Sequence, residues 1–207
     1  MKIAIIGGTG KLGLAFVTRL QITSHDCAVG SRDVSKAEAA VSSIQSRATA
    51  MSNSEAAAWC DAAILTIPYS GHRAVLEPLK AGLGGKIVID ATVPLNPQNL
   101  FQLATESGTS AAEETNVLLG TAHVFAGFHT ISHRILRKTD HVEDVLVAGP
   151  AERKTEVLQL IREMSLHPID AGPIEAARLL ENMTALLISI NKQNKVKESG
   201  FKVTGVP

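Results

Sequence analysis

The sequence predicts an α/β protein: a doubly wound parallel sheet followed by a small C-terminal α/β annex. Three observations carry that expectation. Short β-branched runs alternate with longer, helically spaced stretches through the first half of the 207-residue chain, the rhythm of right-handed βαβ units that cover a parallel sheet on both faces. The first strand candidate, Ile3-Ala4-Ile5-Ile6, is apolar at every position, as a strand buried on both faces must be. It then passes through Gly7-Gly8 into Leu12–Leu20, which has helical spacing.

In chain order, further strands are expected at Asp26–Gly30, Ala62–Ile67, Lys86–Asp90 and Ala122–Phe125, with a shorter one at Ala48–Met51. Val34–Arg47, Ser54–Trp59 and Gly71–Leu83 read as the crossover helices between them. The second part supplies two more strands, Asp144–Ala148 and Pro168–Ala171, around a helix at Glu152–Met164. A long helix over Glu175–Gln193 places Ala176, Leu179, Leu180, Met183, Leu186, Leu187 and Ile190 on one stripe, which must pack on the sheet domain. The expected division is a nucleotide-binding domain over residues 1–130 and a small domain over 131–207 that closes the substrate pocket. No Pro/Gly-rich linker separates them, so the annex docks firmly.

Composition narrows the function classes. Twenty Lys+Arg balance twenty Asp+Glu and aromatics are only 3%, which argues against a general nucleic-acid or membrane-surface binder. Cys27 and Cys60 lack metal-ligand spacing and cannot form a disulfide framework. The apolar N-terminal run is far too short for a signal peptide or a span, so a cytoplasmic protein without membrane attachment is expected. No paired carboxylates, Ser-His-Asp set or metal cluster stands out; His123 and His129 are six apart and make no metal-binding helix face.

Gly8-Thr9-Gly10-Lys11-Leu12-Gly13 fits G-x-G-x-x-G between a strand and a helix. Its first glycine is expected to allow the tight turn, its second to let backbone approach a pyrophosphate, and its third to permit close helix–strand contact. The helix N-terminus offers free N–H groups to the phosphates. The alternative is a glycine-rich turn with no ligand. About 20 residues beyond, where an NAD site carries an acid, the chain reads Gly30-Ser31-Arg32-Asp33, with Lys36 one turn later. Ser31, Arg32 and Lys36 suit a 2′-phosphate, hence NADP(H); Asp33 is better placed as the cap of the next helix. Ile67, Pro68 and Tyr69 end the fourth strand and border the ribose and nicotinamide path, although Pro68 also simply stops the strand. Asp90 at the end of the fifth strand reads as a helix or turn cap, with a catalytic role as the alternative, and Pro94 and Leu95 beyond it would help form an apolar floor.

Gly7–Gly13, Gly30-Ser31-Arg32, Leu65-Thr66-Ile67-Pro68, Phe128-His129-Thr130-Ile131 and Ile169-Asp170-Ala171-Gly172-Pro173 resemble the F420-dependent NADP oxidoreductases. So do Arg178-Leu179-Leu180-Glu181 and the tail from Lys195 to Pro207, so that the resemblance runs the length of the chain. It implies a Rossmann-type sheet with a small C-terminal domain, and hydride exchange between NADP(H) and the deazaflavin coenzyme F420. Thr9 to Leu12, Ser31, Arg32 and Lys36 would hold NADP, and His129, Thr130 and Ile131 would line the place where the two rings meet. Ser132, His133 and the Asp90-Ala91-Thr92 segment depart from archaeal members near the deazaflavin pocket.

His129 has two readings, a ring that bonds the deazaflavin and steadies charge as hydride moves, or a satisfied histidine at a strand end. Arg134, Arg137 and Lys138 follow without an acid between them, and Lys192, Lys195, Lys197 and Lys202 cluster after the long helix. A local basic rim including Arg134 and Lys197 would hold the phosphodiester and glutamyl tail of F420; a solvated basic helix end explains part of the same pattern. Two other functions compete: an NADPH-dependent reductase of a flavin or other small acceptor, and a non-catalytic NADP-binding sensor. The apolar stripe of the last helix also makes a homodimer an expectation.

Overall fold

The computed structural model describes residues 1–105 and 108–206; Pro207, the end of the expected annex, lies outside the described residues. Eight strands form one sheet in the order β3-β2-β1-β4-β5-β6-β7-β8. The first six, β1 (Lys2–Ile6), β2 (Asp26–Ser31), β3 (Thr49–Ser52), β4 (Ala62–Leu65), β5 (Ile87–Asp90) and β6 (His123–Gly127), are all parallel. The order reverses at β1, which has β2 on one side and β4 on the other, so the crevice above β1 and β4 is the switch point where ligands of such sheets lie. β7 (Asp144–Ala148) joins β6 antiparallel through Ala126–Ala148 and Gly127–Val147. β8 (His167–Asp170) then runs parallel to β7. The annex therefore extends the same sheet.

Alternation along β1 explains why every residue of its run is apolar. Ile3 and Ile5 enter the core on one face with Phe16, Val29, Ile64 and Phe125. Ala4 and Ile6 enter the other with Leu65, Leu76, Leu79 and Leu83. The crossover helices are α1 (Lys11–Leu20), α2 (Val34–Ser43), α3 (Asn53–Trp59), α4 (His72–Leu76) and α5 (Lys80–Leu83). The expected single helix over 71–83 is broken because Pro78 has no N–H to donate: a 3₁₀ turn at Glu77–Leu79 separates α4 from α5. α2 stops at Ser43, short of Arg47, and Gln45 turns left-handed at φ +49°. Two helices were not anticipated, α6 (Ala111–Leu119), capped by Ser110, and α7 (His133–Leu136), capped by Ser132. α8 (Lys154–Glu163) connects β7 to β8, and α9 (Ala177–Asn194) closes the fold.

The stripe expected on α9 is rotated. Its buried face is Ala177, Leu180, Glu181, Ala185 and Leu187, whereas Leu179 and Leu186 are 67% and 47% exposed. Glu181 is buried because its carboxyl oxygens accept the N–H groups of Ala111 and Ala112 at the start of α6, at 3.2 and 3.3 Å.

The annex is tied to α1 by one buried cation. The Arg19 guanidinium donates to six carbonyls, those of Ile135, Leu136, Lys138, Thr139, His141 and Met164. Burial lowers its pKa and Asp140 offsets this. Carbonyls at the end of α7 and the end of α8 thus meet one donor fork that replaces water. Arg19→Met keeps the volume but strands these acceptors, each costing about 1–3 kcal/mol before relaxation. The expected net loss is about 3 kcal/mol, or roughly 6–12 °C in Tm, read by calorimetry; a shift under 2 °C would mean the annex does not depend on Arg19.

Candidate functional site

The glycine turn, Ser31-Arg32, Ile67–Tyr69 and Asp90 fall at the carboxyl ends of β1, β2, β4 and β5, and Lys36 lies in the first turn of α2. Gly8–Gly13 forms the turn from β1 into α1. Its left-handed residue is Gly7, at φ +72°, so the tight turn belongs to Gly7 and not to Gly8 as the motif suggested. Gly8 serves close packing: a Cβ there would sit 2.8 Å from the Ile5 carbonyl oxygen. A Cβ on Gly13 would lie 2.5 Å from Gly8 backbone, which only glycine permits. Nothing stands within 4 Å of the Cβ position at Gly10, where the backbone faces open space. The turn is pinned by Gly8 N–H to the Gly30 carbonyl at 3.0 Å and by Gly7 N–H to Asn53 Oδ1 at 3.3 Å.

The start of α1 is uncapped, as are the starts of α4 and α9, but it alone of the three follows the glycine turn after β1. Gly10 provides no capping side chain and the first turn holds no acid. At α3, Ser52 and Glu55 close a reciprocal capping box, and at α6 both Ser110 and Glu181 occupy the N-terminal donors. The first-turn N–H groups of α1 therefore present their partial positive charge to the crevice.

At the end of β2, Ser31 is buried and its hydroxyl accepts the Asp33 N–H at 3.2 Å. Asp33 caps α2 through Lys36 N–H. Arg32 is exposed and makes no hydrogen bond or ion pair among the described residues. Lys36 Nζ stands 4.0 Å from Asp33. Ser31 and Arg32 share a cleft of about 340 Å³ with Ser52, Asn53, Ser54 and the α4–α5 segment around Val75, Pro78 and Leu79; Lys36 is outside its lining.

Beyond β4, Ile67 packs under Gly7, Pro68 is exposed, and the Tyr69 hydroxyl donates to Glu114 at 2.9 Å. Asp90, fully buried, caps the turn after β5 by accepting Thr92 N–H at 2.8 Å. It also accepts the Thr115 hydroxyl at 2.6 Å and lies 3.1 Å from His72 Nε2. Burial opposes its charge, but the His72 contact and the Thr115 and Thr92 bonds hold its pKa below the ordinary carboxylate value. Pro94 is buried, and Leu95 bridges to Leu103.

His129, Thr130 and Ile131, all buried, follow β6. Phe128 before them is left-handed at φ +67°, strained for a residue with a Cβ, and is held edge-on against Phe16 with ring centroids 4.7 Å apart. His129 Nε2 lies 3.1 Å from the Thr92 carbonyl, and the His129 carbonyl accepts the Thr184 hydroxyl of α9 at 2.7 Å. Burial lowers the His129 pKa, against the opposing influence of Asp90 and the Thr92 carbonyl, so the ring is neutral, with its proton on Nε2. His129 Nδ1 and Thr92 Oγ1 are buried with no hydrogen-bond partner. Glu181 lies near the same cluster, and burial raises its carboxyl to about 8 against the pull of the Ala111 and Ala112 N–H groups. Arg134 on α7 and Lys197 beyond α9 come together on one groove, apart from the Ser31–Arg32 cleft.

Sequence reasoning missed Asn53, His72, Thr115 and Glu181. Only α6 carried a usable signal, the Ser110-x-x-Glu113 pattern of a helix start.

A family model described as NADP oxidoreductase, coenzyme F420-dependent, matches residues 2–94. The F420-dependent NADP reductase of Methanothermobacter marburgensis is 33% identical over the whole of both chains. The chain belongs to the F420-dependent NADP reductase family. The Methanocaldococcus jannaschii enzyme of that name is 32% identical across all of this chain and 99% of its own. Among solved structures, a protein of Arthrobacter sp. FB24 assigned to the same activity superposes at a TM-score of 0.87 with 21% identity, covering 99% of each chain. A Plasmodium falciparum pyrroline carboxylate reductase shares the fold at a TM-score of 0.57 with 13% identity, covering all of this chain and 86% of its own. No helix among the described residues is long and apolar enough to cross a membrane.

In a family that uses NADP, the unpaired Arg32 is the side chain whose loss should separate the two dinucleotides. Arg32→Ala is expected to weaken NADPH by about 1.5–3 kcal/mol, the worth of a charge-assisted bond, and to leave NADH within twofold. Calorimetric titration checks this; equal losses for both nucleotides would show that Arg32 reads no phosphate.

Proposed function

We propose that this protein transfers hydride between NADP(H) and the deazaflavin coenzyme F420. The observation that carries the reading is the uncapped start of α1, next to an unpaired Arg32, in a chain related over its whole length to F420-dependent NADP reductases. The residues fit the nucleotide. Thr9, Gly10, Lys11 and Leu12 bring open backbone and free N–H groups to a diphosphate, and Gly8 and Gly13 allow that backbone to come close. Ser31, Arg32 and Lys36 take the 2′-phosphate, and Ile67, Pro68 and Tyr69 border the path toward the nicotinamide.

NADP(H) and F420 supply the hydride chemistry between their rings, so the protein has to position them and exclude water. Pro94, Leu95 and Ile131, with α9, form the apolar floor. His129 Nδ1 can only accept a hydrogen bond and Thr92 Oγ1 can donate one; together they suit a ring amide or carboxamide that offers both a donor and an acceptor. Asp90 positions Thr92, and Thr184 positions His129, so both polar atoms are placed before any ligand arrives. His129 thus acts as a hydrogen-bonding group, neutral at pH 7, rather than as a proton donor.

In this reading residues 1–130 bind NADP, and the segment from 131 onward closes the pocket through α9. The protein works in the cytoplasm, where Cys27 and Cys60 stay free thiols. Leu179 and Leu186, seven residues apart on one side of α9 and exposed, are the face for a second copy, and light scattering is expected to give a dimer mass; a monomer would remove that assignment.

Stopped-flow mixing of oxidised F420 with NADPH and enzyme is the test. Bleaching of the deazaflavin absorbance at turnover rates is expected, with little reaction from NADH. Bleaching of FMN or FAD in its place would move the activity to flavins, and tight NADPH binding without oxidation by any acceptor would make the protein a sensor.

A further inference from the structure

Asn53 does one job in the fold and has an atom left over for another. The pairing of β2 with β3 sets Ser31 opposite Ser52, so Asn53, the next residue, comes level with Arg32 at the start of α3. Its side chain reaches under the glycine turn. Oδ1 accepts the Gly7 N–H at 3.3 Å and lies so close to Gly30 that a Cβ there would fall 2.9 Å from it. The residue is only 8% exposed. An amide flipped end for end would set its NH2 against the Gly7 N–H, donor on donor, so Oδ1 stays on Gly7 and Nδ2 points the other way.

Nδ2 makes no hydrogen bond among the described residues, yet it is not one of the buried atoms that lack a partner. This donor therefore opens on the cleft of about 340 Å³ that Asn53 lines with Ser31 and Arg32. The described residues that line the cleft include no acid, and its opposite side, with Val75, Pro78 and Leu79, is apolar. Arg32 at the rim is unpaired among the described residues. A buried amide costs free energy unless something accepts its protons. A fixed donor on the floor of an acid-free cleft, below a free guanidinium, is arranged for an anion that enters the cleft.

We propose that Asn53 is a specificity-determining residue of the dinucleotide site: Nδ2 donates to the phosphate on the 2′ position of the adenosine ribose, while Oδ1 keeps the Gly7 turn in place. One planar amide then ties the group that separates NADP(H) from NAD(H) to the turn that carries the diphosphate. Arg32 supplies charge from the rim and Asn53 a rigid donor from the floor, so the two reach one phosphate from different sides. The inference rests on the functional reading above. It adds a residue that lies outside both the glycine motif and the Ser31–Lys36 segment.

Asn53→Asp tests this because it is nearly isosteric: an oxygen still accepts the Gly7 N–H, and the donor facing the cleft becomes a charged acceptor. Calorimetric titrations of the full chain compare NADPH, NADH, 2′,5′-ADP and 5′-ADP. The substitution is expected to weaken NADPH and 2′,5′-ADP by about tenfold or more, through a lost bond to a charged group and added repulsion. NADH and 5′-ADP are expected to stay within about twofold, and raised salt narrows the gap. Equal weakening of all four ligands, or of none, would overturn the assignment. A second readout uses the unaltered protein and needs no variant to fold. The side-chain amide NMR signals of Asn53 are expected to move downfield, as protons do on donating to phosphate, with 2′,5′-ADP and not with 5′-ADP. The same shift with both, or with neither, would likewise overturn it. Failure of the unaltered protein to bind NADPH at all would strike the functional reading itself, a separate outcome.

Discussion

The close approach of α1 to β1 at Gly13 and Gly8 is the constraint on which the rest of this structure hangs. With any side chain at Gly13 the helix would have to move off the sheet, because its Cβ would fall 2.5 Å from Gly8 backbone. Seated there, α1 does two things at its two ends. Its uncapped N-terminus points free N–H groups at the switch-point crevice, and its last turn carries Arg19 under the annex, where six carbonyls converge on it. One helix therefore fixes the switch-point crevice relative to the annex. Hydride transfer depends on that relative placement more than on any reactive side chain.

A second layer of rigidity lies beneath the far side of the crevice. His72, Thr115 and Thr92 N–H saturate the buried Asp90 carboxylate, the Thr92 carbonyl faces His129, and Thr184 of α9 bonds the His129 carbonyl. These contacts join β5, β6, α4, α6 and α9 into one polar network that also holds two buried atoms without a hydrogen-bond partner, Thr92 Oγ1 and His129 Nδ1. Fully bonded members hold the unpartnered ones in place, as a preorganised site requires. The left-handed Phe128 shows strain stored at the same strand end.

Much of this was legible in the chain because the signals are local. The all-apolar β1, the alternating rhythm and the glycine spacing each depend on residues a few positions apart, and the β7 boundaries follow directly from its β-branched run. The failures have physical causes of two kinds. Pro78 broke a helix whose apolar spacing looked continuous, and the stripe on α9 was misplaced because a buried acid, Glu181, competes with Leu179 and Leu186 for the core. The rest was beyond reach of any pattern. Asn53 meets Gly7 across 46 residues, and Asp90 meets His72 and Thr115 across 18 and 25; such pairings arise only once the sheet order brings the strand ends together. Even the glycine motif assigned the turn to Gly8, one residue late, because its pattern counts spacing and not φ.

The central claim is that the protein brings two rings together in a dry pocket, so that hydride passes directly from one carbon to the other. NADPH carrying deuterium on one face or the other of its nicotinamide C4 tests this without perturbing the protein. Mass analysis of the reduced deazaflavin is predicted to show the label transferred in full from one of the two isomers and not at all from the other, with no uptake of solvent hydrogen at the ring carbon. Label shared between both isomers, or lost to water, would contradict the account.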